Sequence, residues 1–131
     1  MGSALVLASS SGVAGEVLPD EMEVGNLEAR RDFSDVRDIV SAYRLMEQRD
    51  GGIWNLGSGQ SRSIRQMLDA LIAISGCAVE VRQDPARMRG PEMADLYGCI
   101  AAASASLGRK PEISIGVSPE DAYRHWYESL A

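Results

Sequence analysis

Two runs of apolar residues at helical spacing, each ended by glycine, constrain this chain more than any other feature. Val36, Ile39, Val40, Tyr43 and Met46 fall on one face of a helix predicted over residues 35–48, which Gly51-Gly52 stops. Ile64, Met67, Leu68, Leu71 and Ile72 do the same for a second helix, which starts at Ser61 or Ser63 and stops at Gly76. Short apolar runs at residues 4–8, 22–27, 53–56 and 78–82 flank these helices and read as strands, the first buried and the second at a sheet edge. Strands alternating with helices in this way point to an α/β fold.

The remaining punctuation fills in the frame. Ser34 is the favoured N-cap of the first helix, because its hydroxyl accepts an orphan backbone N–H. Pro85, Gly90, Pro91 and Gly98 make residues 83–98 a loop with room for one helical turn. A third helix is predicted over Ile100–Leu107, closed by Gly108, and residues 113–115 extend briefly. Pro119, after Ser118, opens a last helix that runs to Leu130. The strands are too few for a complete doubly wound nucleotide-binding sheet.

Length and charge exclude several functions. At 131 residues and 45% hydrophobic, the chain supports one small domain, burying roughly two-thirds of its unfolded surface. It has no run of about 20 apolar residues, so no bilayer-spanning helix is expected. The start, Met1 to Ala8, is apolar without a basic flank, which argues against a signal peptide and for a cytoplasmic location. Cys77 and Cys99 have neither zinc-ligand spacing nor a histidine cluster, so no metal site is expected and both read as small buried hydrophobes. A net charge of −6 disfavours nucleic acid as a partner. The cations are arginines except for Lys110, which suits bidentate phosphate recognition or reflects compositional bias.

Four motifs could carry chemistry. In Arg30-Arg31-Asp32-Phe33, an arginine at a strand-to-helix junction can face a phosphate, or simply pair with the neighbouring aspartate at the surface. The run Asp84-Pro85-Ala86-Arg87-Met88-Arg89-Gly90-Pro91-Glu92 reads either as a solvated loop or as an anion grip. Gly57-Ser58-Gly59 is a lone Gly-x-Gly and fits a tight strand-to-helix connection better than a phosphate cradle. His125 lies beside Trp126 with no nucleophile at a meaningful spacing, so packing explains it better than catalysis.

Asn26 to Phe33 together with Trp54-Asn55-Leu56-Gly57-Ser58-Gly59 resembles the substrate-binding part of the extended short-chain dehydrogenases. Within them it resembles the GDP-mannose 4,6-dehydratases and the related GDP-4-keto-6-deoxymannose reductases. The resemblance implies a partial Rossmann-type α/β fold, a small substrate-binding domain of mixed short strands and about four helices. Residues 22–131 would form this nucleotide-sugar-binding domain, and residues 1–21 a remnant strand and loop or a disordered leader.

The resemblance also assigns roles. Arg31 takes the place of an arginine that contacts the nucleotide sugar, and Arg89 and Glu92 the places of residues that grip diphosphate and ribose. Pro91 stands one position later than in that pattern, which could re-aim both side chains. Asn55 is expected to hydrogen-bond the nearby loop. Leu107-Gly108-Arg109-Lys110-Pro111 resembles a Leu-Gly-Trp-Lys-Pro segment, and Arg109 in place of tryptophan is expected to loosen packing under the last helix. Ala8-Ser9-Ser10-Ser11 looks like the end of a catalytic strand, placing Ser10 at a hydroxyl that polarises a keto group; a chance match of a serine-rich run is the alternative.

The implied parent reaction is NADP-dependent: oxidation at C4, elimination of water across C5–C6 and reduction at C6. Its cofactor needs a Gly-rich turn and its base a Tyr-x-x-x-Lys pair. With Lys110 the single lysine, no Tyr-x-x-x-Lys exists in these 131 residues, so no cofactor is expected to bind this chain. The expectation is a fragment or degenerate remnant that binds a GDP-mannose-type nucleotide sugar without turnover. A non-catalytic module that pairs with itself through exposed sheet edges, or a piece of a 4-keto-sugar reductase, are the alternatives.

Overall fold

The structure, a computed structural model, describes residues 21–88 and 93–130. Among the described residues five short strands and four α-helices follow one another. Strand β1 (Glu21–Val24) leads to β2 (Arg30–Asp32) and α1 (Val36–Met46). Then come β3 (Ser61–Ser63), α2 (Ile64–Ser75), β4 (Glu80–Gln83) and a 3-10 turn at Pro85–Arg87. Strand β5 (Asp95–Leu96), α3 (Ala101–Leu107) and α4 (Val117–Leu130) complete the order. The predicted strand at residues 4–8 lies outside the described residues.

Two sheets result. Strand β1 pairs with β4 in parallel, and Arg82 of β4 holds Glu21 at 2.6 Å and Glu23 at 2.8 Å across the pair. In the second sheet β2 lies in the middle, antiparallel to β3 and parallel to β5. Strands of two or three residues carry no readable period, which is why the sequence pattern passes over β2, β3 and β5.

The second helix forms as its sequence predicts. The Ser63 hydroxyl accepts from the Gln66 amide at 3.1 Å, and the Gln66 side chain returns an acceptor to the Ser63 amide at 2.9 Å. This capping box satisfies two donors that an α-helix otherwise leaves orphaned. At the other end Gly76 takes the left-handed conformation (φ 67°), which a residue with a Cβ adopts only under strain. Replacing Ser63 by alanine is expected to cost about 1 kcal/mol in urea unfolding. An unchanged midpoint would show that the box contributes nothing in solution.

The first helix departs from expectation in two ways. Its N-cap is Asp35 rather than Ser34: the carboxylate accepts from the Arg37 amide at 2.8 Å and also from the Arg37 guanidinium. A hydroxyl could not serve both, and Ser34 donates to Asp32 instead. The predicted apolar stripe is also rotated. Val36, Val40 and Tyr43 are exposed, whereas Asp38 and Ala42 are buried and Leu45 and Met46 pack on the core. The cause is Asp38, a charged residue turned inward by partners described below.

Ala42, Ala103 and Leu107 form a buried cluster where α1 meets α3, with Trp54 and Leu56 packed against it. Small residues at this crossing let the two helices approach closely. Residues 53–56 are not a strand: Ile53 is fully exposed, and Trp54 and Leu56 reach the core from an irregular segment. Residues 113–115 also form no strand, because the Ile113 amide donates to the Asp38 carboxylate instead of to a ladder. Helix α4 starts two residues before Pro119, with the Val117 and Ser118 amides both donating to the Ser114 carbonyl. Pro119 sits inside the first turn, where its missing N–H costs nothing.

Candidate functional site

Strand β2 concentrates the polar chemistry of the described residues, and its alternation divides that chemistry between two faces. Arg30 and Asp32 occupy one face. The Arg30 guanidinium donates to the Ser61 carbonyl at 2.7 Å and to its hydroxyl at 3.2 Å, and lies 3.6 Å from Asp95. It therefore rivets β3 to β2 and β5.

Asp32 explains the Gly-Ser-Gly turn. Its carboxylate accepts from the Ser58 amide at 2.8 Å, from the Ser58 hydroxyl at 2.5 Å and from the Gly59 amide at 3.0 Å. A Cβ on Gly57 would stand 2.6 Å from the Asp32 carboxylate, so only glycine fits there. Two motifs that read separately in sequence are one clamp. Asn55, expected to hold this loop, is exposed, and the charge of Asp32 does the holding instead.

This clamp also tests the turn as a cofactor site. A pyrophosphate cradle needs free backbone amides aimed at the anion. Here the Ser58 and Gly59 amides already serve the Asp32 carboxylate. This turn does not fit the pyrophosphate of a nicotinamide dinucleotide. Among the described residues no group of histidine, cysteine and acidic side chains could hold a metal ion.

Arg31 lies on the opposite face of β2, half-buried. Its Nη1 donates to the Arg30 carbonyl at 2.7 Å and to the Met93 carbonyl at 2.8 Å. These bonds fix the guanidinium over the β2–β5 junction and leave its other donors without an acceptor among the described residues. Arg62 stands directly across from Arg31 on β3, and Leu96 directly across on β5. Nothing in the linear sequence pairs Arg31 with Arg62; only the register of β2 and β3 does. Arg89, Glu92 and Ser10 lie outside the described residues.

A second polar centre is buried beneath α1. The Asp38 carboxylate accepts from Arg109 Nη2 at 2.6 Å, from the Ile113 amide at 2.9 Å and from the Glu112 amide at 3.2 Å. Arg109 Nη1 also donates to the Asp38 carbonyl at 2.6 Å. Burial pushes this carboxyl up, but the two amides and the guanidinium outweigh it and hold it below the usual carboxylate range. Arg109, read in the sequence only as a lost tryptophan, thus ties the 109–113 segment to α1. A cavity of about 30 Å³ beside it has room for little more than one water.

Near the start of α1, Arg37 bridges Asp35 at 2.8 Å and Asp121 of α4 at 2.7 Å. Its hydrogen bonds hold the Asp35 carboxyl well below the usual range. Cys77 is half-buried and Cys99 exposed, both unpaired, so Cys99 is not the buried hydrophobe its sequence suggests. It lies just ahead of α3, on a segment that turns only Ala103 and Leu107 inward. His125 lies edge-on to Trp126 with ring centroids 6.0 Å apart, a packing contact. Among the described residues no helix is long and apolar enough to cross a membrane.

Mixed short strands and four helices among the described residues fit the fold of the Rossmann-type extended short-chain dehydrogenases. The description GDP-mannose 4,6 dehydratase matches residues 10–118, and the chain belongs to that family. It is 38% identical over 109 residues to a GDP-6-deoxy-D-mannose reductase of Pseudomonas aeruginosa, covering 82% of this chain and 36% of that protein. It is 25% identical over 118 residues to the GDP-mannose 4,6-dehydratase sdnI of Sordaria araneosa, covering 75% of this chain and 22% of that one. The structure of RMD from Pseudomonas aeruginosa complexed with NADPH superposes with a TM-score of 0.78 at 32% identity. That match covers 86% of this chain and 37% of the other. The chain therefore spans 22% to 37% of the length of these relatives.

Proposed function

We propose that residues 22–131 are the nucleotide-sugar-binding part of a GDP-mannose 4,6-dehydratase-like protein. Arg31, Arg89 and Glu92 would hold the GDP portion of a GDP-mannose-type ligand. The observation that carries this reading is the setting of Arg31, whose guanidinium is anchored by two carbonyls with donors to spare. An arginine prearranged by main-chain acceptors loses little entropy on gripping a phosphate. Membership of the family supports the class of ligand.

The 131 residues alone are not expected to bind the dinucleotide tightly or to turn substrate over. They contain no Tyr-x-x-x-Lys, and the amides of their one Gly-x-Gly turn are committed to Asp32. Calorimetric titration of the purified chain tests both halves of the reading. GDP-mannose and GDP should bind, and NADPH should not. Failure of both GDP ligands to bind, or dehydratase turnover by the pure chain, would overturn it.

One observation favours a reductase rather than a dehydratase as the parent activity. The chain is 38% identical to the reductase of Pseudomonas aeruginosa and 25% identical to the fungal dehydratase. On that reading GDP-4-keto-6-deoxymannose should bind more tightly than GDP-mannose in the same titration.

A further inference from the structure

Like charges placed directly opposite on neighbouring strands destabilise a sheet. Arg31 and Arg62 are such a pair, in register across β2 and β3 with both side chains on one face and both half-buried. The chain carries a net charge of −6, and most of its described arginines hold a carboxylate. Among the described residues these two hold none. Arg31 donates only to main-chain carbonyls, and Arg62 only to the Gln60 side chain at 3.5 Å, the outer limit of a hydrogen bond. Asp32 and Asp95, the acidic residues of the same sheet, are turned to the opposite face by the strand alternation.

We propose that Arg31 and Arg62 form a two-guanidinium clamp for a diphosphate, with Arg62 an anion ligand in its own right. Directly opposed residues of an antiparallel pair place their Cβ atoms about 5 Å apart. From Cβ atoms that close, the long Arg62 side chain can bring its fork to a phosphoryl group next to one held by the free donors of Arg31, whose guanidinium lies over the β2–β5 junction. The anion then supplies the counter-charge that the free sheet lacks. Leu96, in register with Arg31 on the other side and half-exposed, offers an apolar surface for the uncharged portion of the ligand. The proposal rests on the reading that the chain holds a nucleotide sugar, and it names the charged middle of that ligand as the part recognised.

The test is titration of the full chain and of Arg62→Gln with inorganic pyrophosphate and with GDP. Thermal midpoints are recorded without ligand, and Arg44→Gln, on the exposed end of α1, serves as a control. Arg62→Gln should weaken pyrophosphate and GDP about tenfold while its unliganded midpoint stays level or rises, because repulsion is relieved. A residue that merely supported the fold would lower the midpoint. Arg62→Lys, which keeps the charge without the fork, should retain part of the affinity and stands in if the glutamine variant does not fold.

Equal GDP affinity in the wild type and the Arg62 variants would overturn the clamp and leave the nucleotide reading intact. Pyrophosphate binding that depends on Arg62, without GDP binding, would support the clamp and overturn the nucleotide reading. Binding of neither ligand by the wild type would overturn both.

Discussion

Replacing Asp38 by alanine is expected to destabilise the fold by about 3–5 kcal/mol, the cost of breaking a buried ion pair from one side. The Asp38 side chain is 4% exposed and that of Arg109 17%, so water cannot take over the lost interactions. The variant would leave the guanidinium and the Glu112 and Ile113 amides without their shared acceptor. Domains of this size have total stabilities of about 5–15 kcal/mol, so this one change removes a large fraction. Urea unfolding followed by circular dichroism should show a much lower midpoint. The double variant Asp38→Leu with Arg109→Leu should lose less than the sum of the single changes, because it removes the unpaired charge as well. A wild-type midpoint for Asp38→Ala would show that this centre does not hold the 109–113 segment.

The same centre sets the response to acid. The carboxyls of Asp38 and Asp35 are held below their unfolded value, which is about 3.9 for aspartate. The unfolded chain therefore binds more protons than the folded one in the acidic range. Their contribution is present above the unfolded value and is lost as pH falls through the lower folded values. Stability should hold near neutrality and decline below about pH 4. Asp38→Ala should decline less steeply, having fewer depressed carboxyls left to protonate.

What the sequence makes legible follows from how far apart the interacting residues lie. Helix α2 reads correctly because its cap, apolar stripe and terminal glycine all fall within one turn of the residues they serve. Helix α1 is placed correctly but rotated, since Asp38 counts as polar in any periodicity and its partner Arg109 is 71 residues away. The same distance hides the meaning of Arg109. As a substitution for tryptophan it looks like lost packing, and only the fold shows the carboxylate it meets.

The candidate site divides in the same way. Arg31 is singled out in the sequence because Asn26 to Phe33 carries a pattern along the chain. The role of Asp32 depends on a turn 26 residues downstream, although the small residues at Gly57 and Gly59 are a local trace of its approach. Arg62 leaves no local trace. It sits in a polar run ahead of a helix cap, and a three-residue pairing brings it opposite Arg31.

Arg31→Gln is expected to lower the affinity of the chain for GDP-mannose about a hundredfold, the loss of charge-assisted bonds to a phosphate. Glutamine keeps much of the length and the polarity, so the change isolates the charge and the fork. Arg31→Lys restores the charge alone and should recover part of the affinity. Neither variant should unfold the protein. The two bonds to be lost, to the Arg30 and Met93 carbonyls, lie at the margin of the sheet, whereas Arg30 and Asp32 tie the sheet and its turn together from the other face. Calorimetric titration beside a urea curve therefore separates the two roles. Lost affinity with an unchanged midpoint places Arg31 on the ligand. A lowered midpoint with unchanged affinity would make it a structural tie between β2 and the segment leading into β5, and the nucleotide sugar would have to be held elsewhere.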